Sequence, residues 1–327
     1  MSFRKFFVFV VAYCVVASAL IMWLRSPSME TLALAAAKTE QYGSIMLASS
    51  IRLAPLGLMF LIFLRRGDLS YRLTNAAFAI AGAILFQTAF SMTKTLIPSI
   101  VPFYADPILA SVDEWLHGGE SAWQLAHRWA AGIDMTRFVP VYLHVWTIPA
   151  VALPLTIALT DTDERRIGRF LSLYVLCWIG LGNLLALAGS SVGPVFYDSA
   201  YGTDRFGHLA AALEDTGMTS SLIGMTQYYL WDSYVTGNLA FGSGISAFPS
   251  VHVGVATVTA LYLFERNKVL VLPGILFLAA IMFLSVYSGY HYAIDGYVSI
   301  IMIVGAWAYL VRARENRPEQ VRLVVSA

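Results

Sequence analysis

The sequence carries little charge for its length. Of its 327 residues, 13% are Asp, Glu, Lys or Arg, and the formal net charge at pH 7 is +1. Soluble domains have about 25% charged residues. This scarcity excludes a soluble globular enzyme and a disordered chain, and the balanced charge leaves no basic surface for nucleic acid. Nucleic acid is therefore not an expected partner.

Cysteine is also scarce, since the chain contains only Cys14 and Cys177. Both lie within long apolar stretches, where a thiol usually serves as a small apolar side chain. We therefore predict no disulfide framework.

The abundant residues are apolar, at 58% of the chain, and they are grouped in long runs. A helix of about 20 apolar residues spans the hydrocarbon core of a bilayer. The runs that meet this requirement are 6–24, 44–64, 75–97, 139–159, 169–190, 249–265, 269–288 and 291–311. The first is too long for the apolar part of a signal peptide, so we interpret it as a span. We expect an all-α fold, a polytopic transmembrane helical bundle of about eight spans.

The lysines and arginines predict the orientation of this bundle. If both termini are cytoplasmic, two thirds of the 21 basic residues fall in inner loops and tails. Basic residues collect on the cytoplasmic side of membrane proteins. We therefore expect a multi-pass integral membrane protein with both termini cytoplasmic.

Two predicted outer loops, 98–138 and 191–248, are long enough to carry structure of their own. Within the first, Asp106–Trp129 has apolar residues at helical spacing among polar ones. We expect one or two amphipathic helices at the outer membrane surface, with their tryptophans at the depth of the lipid headgroups. A plain surface loop is the alternative.

Three ionisable side chains stand at the outer ends of predicted spans. Such residues are costly at membrane depth and are therefore candidates for function. His252 lies at the start of the span 249–265, and His291 and Asp295 open the span 291–311. In the predicted topology both clusters lie at the outer face, so the two histidines reach one level of the membrane.

The spacing within each cluster suits phosphoryl transfer. Pro249 fits the first turn of a helix, whose free N–H groups bind an anion, and Ser250 adds a hydroxyl donor or simply caps the helix. His291 and Asp295 are four residues apart. On one helical face, the carboxylate can hold one ring nitrogen and leave the other free to attack phosphorus. His252 can then protonate the leaving oxygen, and no metal or cofactor is required.

At these residues the sequence resembles the type 2 phosphatidic acid phosphatase superfamily. Phe-Pro-Ser-Val-His at 248–252 and His-Tyr-Ala-Ile-Asp-Gly at 291–296 look like its second and third signatures. They are most similar to the inositol-phosphorylceramide synthase, or inositolphosphotransferase, branch. The segments 94–118 and 193–198 also resemble that branch.

The resemblance covers roughly residues 90–312 and implies a division of the chain. Residues 75–312 would form the catalytic membrane domain. Residues 1–74 would be N-terminal transmembrane spans without an assigned role, and 313–327 would be a cytoplasmic tail.

The resemblance also implies a role for each motif residue. His291 would be the nucleophile that forms a phosphohistidine, Asp295 would orient it, and His252 would protonate the leaving group. Ser250 would hold phosphate oxygens. The substrate would be a lipid phosphate ester that enters from the membrane, with the active site at the outer, periplasmic or lumenal, face.

The sequence departs from the family where cations are expected. The first signature, a lysine with a downstream Arg-Pro, is not legible, and the arginine expected six residues before the nucleophile is Ser285. Such cations offset phosphate charge in a dry site. Candidate replacements on the outer side are Lys94, Arg137 and Arg205, although Lys94 could instead be an anchor at the membrane interface.

The missing cations favour a phosphodiester donor, because a diester monoanion needs fewer cationic partners than a monoester dianion. We therefore expect a phosphotransferase that moves a phospholipid headgroup onto a polyol or lipid alcohol. Tyr197 and Asp198 are candidate lining residues of its site, or residues that only end a loop. A lipid phosphate phosphatase with water as acceptor is the alternative. Remote alternatives are an intramembrane serine protease that pairs Ser246 with His291, and a transporter with a His/Asp proton relay.

Overall fold

The computed structural model of the protein describes residues 1–25, 66–237 and 242–315, together with the isolated Ala33 and Ala37. Within these residues the secondary structure is helical, and there is no strand. The predicted all-α fold class is therefore confirmed.

The described α-helices are numbered here in chain order. They are α1 Phe3–Arg25, α2 Arg66–Lys94, α3 Ile97–Ile100, α4 Asp106–Leu116, α5 Ala122–Trp129, α6 Trp146–Thr160, α7 Glu164–Val175, α8 Ala186–Ala188, α9 Pro194–Tyr201, α10 Gly207–Asp215, α11 Leu222–Val235, α12 Val251–Arg266, α13 Val271–Tyr287 and α14 Ala293–Glu315. Short 3₁₀ turns at Met135–Phe138 and Lys268–Leu270, and π-helical stretches at Val141–Val145 and Leu176–Leu185, extend some of them.

Six helical stretches in the described part are long and apolar enough to cross a membrane. They are Phe3–Arg25, Leu69–Ile100, Met135–Thr160, Glu164–Ala188, Lys268–Tyr287 and Ala293–Ala313. The predicted span 249–265 is also helical, but α12 has only 16 residues. At 1.5 Å per residue it is about 24 Å long, less than the roughly 30 Å of a hydrocarbon core. The predicted span 44–64 lies outside the described residues.

The π-helical stretches bring aromatic side chains to one end of the bundle. Pro149 in α6 has no N–H to donate to the carbonyl of Val145, and the stretch Val141–Val145 ends at that point. It carries Tyr142, and the stretch Leu176–Leu185 carries Trp178. Wider turns of this kind are frequently found at functional sites.

Ion pairs lie at the other end of the bundle. Arg166 Nε donates to Asp161 at 2.6 Å, and Arg169 Nε donates to Glu265 at 2.8 Å, which joins α7 to the last turn of α12. Because His252 is in the first turn of α12, these charged groups and the motif histidines are at opposite ends of one helix.

The segment Asp106–Trp129 forms two helices, as the sequence predicts. A capping box between Ser121 and Gln124 starts the second, α5. Trp115 and Trp129 are 77% and 74% exposed, but Trp123 is only 8% exposed. Trp123 lies on the apolar face that packs against the bundle, whereas Trp115 and Trp129 lie on the exposed side. The depth of these tryptophans in the membrane stays a prediction.

Candidate active site

The first motif lies at the start of α12. Ser250 is its N-cap, and the Ser250 hydroxyl accepts a hydrogen bond from the N–H of Val253 at 3.4 Å. The helix begins at Val251, so the prediction that Pro249 occupies the first helical turn is wrong. Ser250 takes the capping position because its hydroxyl can satisfy a free N–H of the first turn, which proline cannot. His252 is the second residue of the helix.

Two aromatic rings hold the imidazole of His252. Trp146 stacks on it with ring centroids 3.8 Å apart, and Tyr142 stacks on it at 4.6 Å. Trp146 also donates from Nε1 to the carbonyl oxygen of His252 at 3.0 Å. The sequence analysis missed both residues, because aromatic side chains in an apolar span look like ordinary core or interface residues.

The second motif lies just before α14. The helix begins at Ala293, so the prediction that His291 and Asp295 share one helical face is wrong. Asp295 is the third residue of α14, and its carboxylate turns back over the helix N-terminus. It accepts from the N–H of Tyr292 at 3.1 Å and contacts Nδ1 of His291 at 3.3 Å. The predicted His–Asp contact is present, but a helix-capping geometry produces it.

The imidazole of His291 is buried, with 7% of the residue exposed. Burial, together with the positive charge of Lys94, lowers its pKa to about 3, although a hydrogen bond with the backbone of Ala247 acts in the opposite direction. The ring is therefore neutral at physiological pH. Because a carboxylate can only accept, Nδ1 carries the proton toward Asp295, which leaves the lone pair on Nε2.

The two histidines line one cavity. Their ring centroids are 6.2 Å apart, and the cavity has a volume of about 220 Å³. Lys94, Ser246 and Tyr290 line it as well. Both rings can therefore reach atoms of a single phosphate group from distances of about 3 Å.

A second cavity opens from the same point. Its volume is about 260 Å³, and it shares Lys94 and His252 with the first cavity. Apolar side chains from three spans form much of its wall, including Phe90, Val151 and Trp178. The two cavities therefore share Lys94 and His252, and the second cavity, here called the apolar slot, lies between membrane helices.

Of the three predicted replacement cations, Lys94 alone lines the cavity of the two histidines. The side chain of Arg137 is 81% exposed, and its Nε forms an ion pair with Asp134 at 3.0 Å. Arg205 forms an ion pair with Glu114 at 2.9 Å. The structure therefore brings one of the predicted cations to the motif histidines and leaves two on the surface of the loop region.

Tyr197 and Asp198 are also outside the residues that line this cavity. Tyr197 is 6% exposed and packs against Phe206, with ring centroids 5.1 Å apart. The carboxylate of Asp198 accepts from the backbone N–H groups of Arg205 and Phe206, both at 2.8 Å. These contacts organise the loop between α9 and α10.

Ser285, at the position of the family arginine, is 1% exposed. Its hydroxyl donates to the carbonyl of Ile281 at 2.7 Å and lies 3.5 Å from the hydroxyl of Tyr142. This side chain therefore supports the ring that stacks on His252.

Asp106 connects the loops on either side of the site, a role that the sequence analysis missed. Its buried carboxylate accepts from the N–H groups of Val192 and Gly193, both at 2.9 Å, and from the hydroxyl of Tyr292 at 3.1 Å. Burial raises the pKa of Asp106, and these hydrogen bonds lower it. The only signal in the sequence was its place in a segment that resembles the family.

Gly193 explains how closely these loops approach each other. Its φ is +86°, and a Cβ there would lie 2.4 Å from the carbonyl oxygen of Tyr290. Only glycine fits a left-handed conformation at such a close approach. The loop before α9 is therefore fixed directly against the residue that precedes His291.

Comparisons with known proteins give one match. A family model described as the PAP2 superfamily matches residues 107–309, which contain both histidine motifs. No curated protein and no solved structure matches the chain. In the described part of the chain, no group of three or more His, Cys, Asp or Glu side chains is placed to hold a metal ion.

Proposed function

Because the chain belongs to the PAP2 superfamily, and is therefore a membrane-embedded lipid phosphatase or phosphotransferase, we propose that it transfers a phospholipid headgroup to an alcohol through a phosphohistidine. The observation that carries this proposal is the cavity in which His252, His291 and Lys94 converge. A nucleophile, an acid and a cation are the groups that phosphoryl transfer needs.

In the first half-reaction, Nε2 of His291 attacks phosphorus. The new N–P bond forms as the bond from phosphorus to the lipid alcohol breaks, and His252, which is protonated in the complex with the phosphodiester anion, donates its proton to the departing oxygen. Asp295 stabilises the positive ring of His291 through Nδ1–H. The headgroup stays on phosphorus. In the intermediate, phosphorus is bonded to Nε2 of His291 as a phosphoramidate and remains esterified to the headgroup.

In the second half-reaction, an alcohol replaces the departed lipid. His252, now neutral, takes the proton of the acceptor hydroxyl, whose oxygen attacks phosphorus and breaks the N–P bond. His291 and His252 return to their starting states, and the headgroup is on the acceptor. Polyols and lipid alcohols both supply such a hydroxyl.

The charge in the cavity supports a phosphodiester donor. Lys94 is the one Lys or Arg among the described residues that line this cavity. A phosphodiester carries one negative charge, which a single lysine can offset, whereas a monoester dianion leaves a negative charge unbalanced in a poorly solvated site.

The apolar slot supports a lipid substrate. It reaches the two catalytic groups Lys94 and His252 from between the spans, where Phe90 and Trp178 lie. Acyl chains in this slot would keep the hydrocarbon out of water while the phosphate enters the cavity of the two histidines.

Ser246 is the residue that the protease alternative requires. It lines the same cavity as His291, but its buried hydroxyl has no hydrogen-bond partner in the described part of the chain. A Ser–His dyad is recognised by a hydrogen bond between its two members. This geometry favours the histidine nucleophile, and Ser246→Ala should keep most of the activity.

The test compares phosphatidic acid with phosphodiester lipids as donors for the purified full-length protein. Each donor is incubated with and without an added polyol or long-chain alcohol, and mass spectrometry identifies every product. We expect headgroup transfer from a phosphodiester, dependent on the alcohol and absent in His291→Ala. Release of inorganic phosphate from phosphatidic acid, with no transfer product from any donor, would replace this proposal by hydrolysis with water as acceptor.

A further inference from the structure

A third cavity, lined by Arg25, lies beside the proposed active site. Its volume is about 340 Å³, and the polar residues Thr95, Ser99 and Ser233 line it together with Arg25. The backbone at Gly244 borders this cavity, the cavity of the two histidines and the apolar slot. The three cavities therefore meet around one short stretch of chain.

Gly244 packs directly against the backbone of Lys94 and Thr95. A Cβ on Gly244 would lie 2.8 Å from the carbonyl carbon of Lys94 and 2.9 Å from the nitrogen of Thr95. Lys94 lines the cavity of the histidines, while Thr95 and Arg25 line the third cavity. A ligand bound at Arg25 would therefore be a close neighbour of a phosphate bound at Lys94.

The guanidinium of Arg25 has hydrogen-bonding capacity that the protein does not use. Its Nη2 donates to the carbonyl of Thr95 and to the hydroxyl of Ser99 at 3.0 Å. Its Nη1 is shielded from water and has no hydrogen-bond partner among the residues that the structure describes. An unsatisfied buried donor is costly, and the planar fork of a guanidinium matches the oxygens of phosphate and carboxylate.

We propose that the Arg25 cavity binds an oxyanion, and that this oxyanion is a second anionic group on the headgroup of the lipid donor. The proposal rests on the proposed function. In that reaction the two alcohols exchange while the headgroup stays on phosphorus. A headgroup held by Arg25 would keep phosphorus beside His291 through both half-reactions, which lowers the entropic cost of each attack.

This assignment gives each part of the donor a place. The acyl chains occupy the apolar slot, the phosphodiester lies between His252 and His291, and the far end of the headgroup lies at Arg25. It selects headgroups that end in an oxyanion over matched headgroups that end in a hydroxyl. Free inorganic phosphate offers the same chemistry, so the experiment separates the two sources.

The first arm uses phosphatidylinositol and phosphatidylinositol 4-phosphate, which differ by one headgroup phosphate. We expect kcat/KM of the full-length enzyme to favour the phosphorylated donor. Arg25→Gln should reduce this preference about tenfold, as expected for one charge-assisted contact, and Arg25→Lys should restore part of it. The control is Arg128→Gln, since Arg128 is 60% exposed and pairs with Glu120 at 2.8 Å.

The second arm measures the binding of inorganic phosphate by its effect on the melting temperature. It uses wild type, His291→Ala and Arg25→Gln, so it requires no turnover. Weaker binding in Arg25→Gln together with a reduced donor preference supports the proposal. Weaker phosphate binding with an unchanged donor preference would make this a site for free phosphate and overturn the headgroup assignment. Wild-type values for Arg25→Gln in both arms would overturn the site itself.

The two proposals can fail separately. If no lipid reacts with the wild-type protein, the proposed function fails, but phosphate binding in the second arm still tests Arg25. If lipids react and His291→Ala is inactive while Arg25→Gln keeps the wild-type donor preference, only the headgroup site fails. Wild-type melting temperatures for Arg25→Gln and Arg25→Lys without phosphate show that the variants can be compared as folded proteins.

Discussion

The charged side chains of two regions, the loop region around α9 and α10 and the cavity of the two histidines, have different kinds of partner. In the loop region around α9 and α10, Arg205 pairs with Glu114, and Asp198 accepts from two backbone N–H groups. At the cavity, Lys94 and His252 face open space beside stacked rings. Charged groups that satisfy one another build a scaffold, whereas groups that face a cavity remain available to a ligand.

The strongest test of this contrast is His291→Ala. Removing the nucleophile should reduce turnover by a factor of about 10³ or more, with little change in the melting temperature. Product formation and thermal unfolding of the purified protein are the two measurements. An active His291→Ala enzyme would remove this residue from the reaction.

Lys94→Gln should have the next largest effect. A cation that meets phosphate charge in a poorly solvated cavity contributes about 2–4 kcal/mol to the transition state, so kcat/KM should fall about 100-fold. Arg137→Gln and Arg205→Gln are matched controls that remove the same charge from positions outside the cavity. We expect each control to stay within about threefold of wild type, and a comparable loss in all three variants would contradict the contrast.

Asp295→Asn should cost less than His291→Ala. The amide loses the charge that stabilises the positive ring, but the imidazole stays in place. A loss of kcat on the order of 100-fold, with a small change in KM, is the expected result of steady-state kinetics. Wild-type kinetics would show that the contact of 3.3 Å between Asp295 and His291 is only structural.

Asp198→Ala should affect stability more than chemistry. It leaves the N–H groups of Arg205 and Phe206 without their acceptor, and because water can reach this site the loss is about 0.5–1.5 kcal/mol. The melting temperature should fall, while the activity of the folded fraction stays close to wild type. A large loss of kcat without loss of stability would place Asp198 in the reaction.

The smallest expected effect is that of a chelator. The proposed steps use an imidazole nucleophile and proton transfer by His252, without a metal hydroxide. Activity should therefore persist after treatment with a chelator and dialysis. Full inactivation that one divalent ion reverses would overturn this part of the mechanism.

Much of the fold could be predicted because bilayer thickness constrains the lengths of apolar runs. The helix α12 is an exception to that rule, because its 16 residues are shorter than a span and it is packed among the other helices. The amphipathic spacing of Asp106–Trp129 predicted helices correctly. It could not predict that Trp123 is buried, because the neighbouring helices that cover it are distant in sequence.

The motif residues of the site could be predicted from two short patterns, but their surroundings could not. Tyr142 and Trp146 come from a different span than His252, and no local pattern marks aromatic residues that stack on it. The sequence also could not rank Lys94 above Arg137 and Arg205. All three are basic residues near predicted outer ends, and only the packing of distant segments decides which one faces the cavity.

The central claim is that His291 becomes covalently attached to the phosphate of the donor. The most direct test incubates the wild-type protein with a headgroup-labelled phosphodiester lipid without acceptor alcohol, quenches it without acid, and maps the label by peptide mass spectrometry. We expect the label on His291, lost when alcohol is added and absent in His291→Ala. Full turnover with no label on any histidine, or with the label on His252, would contradict the account.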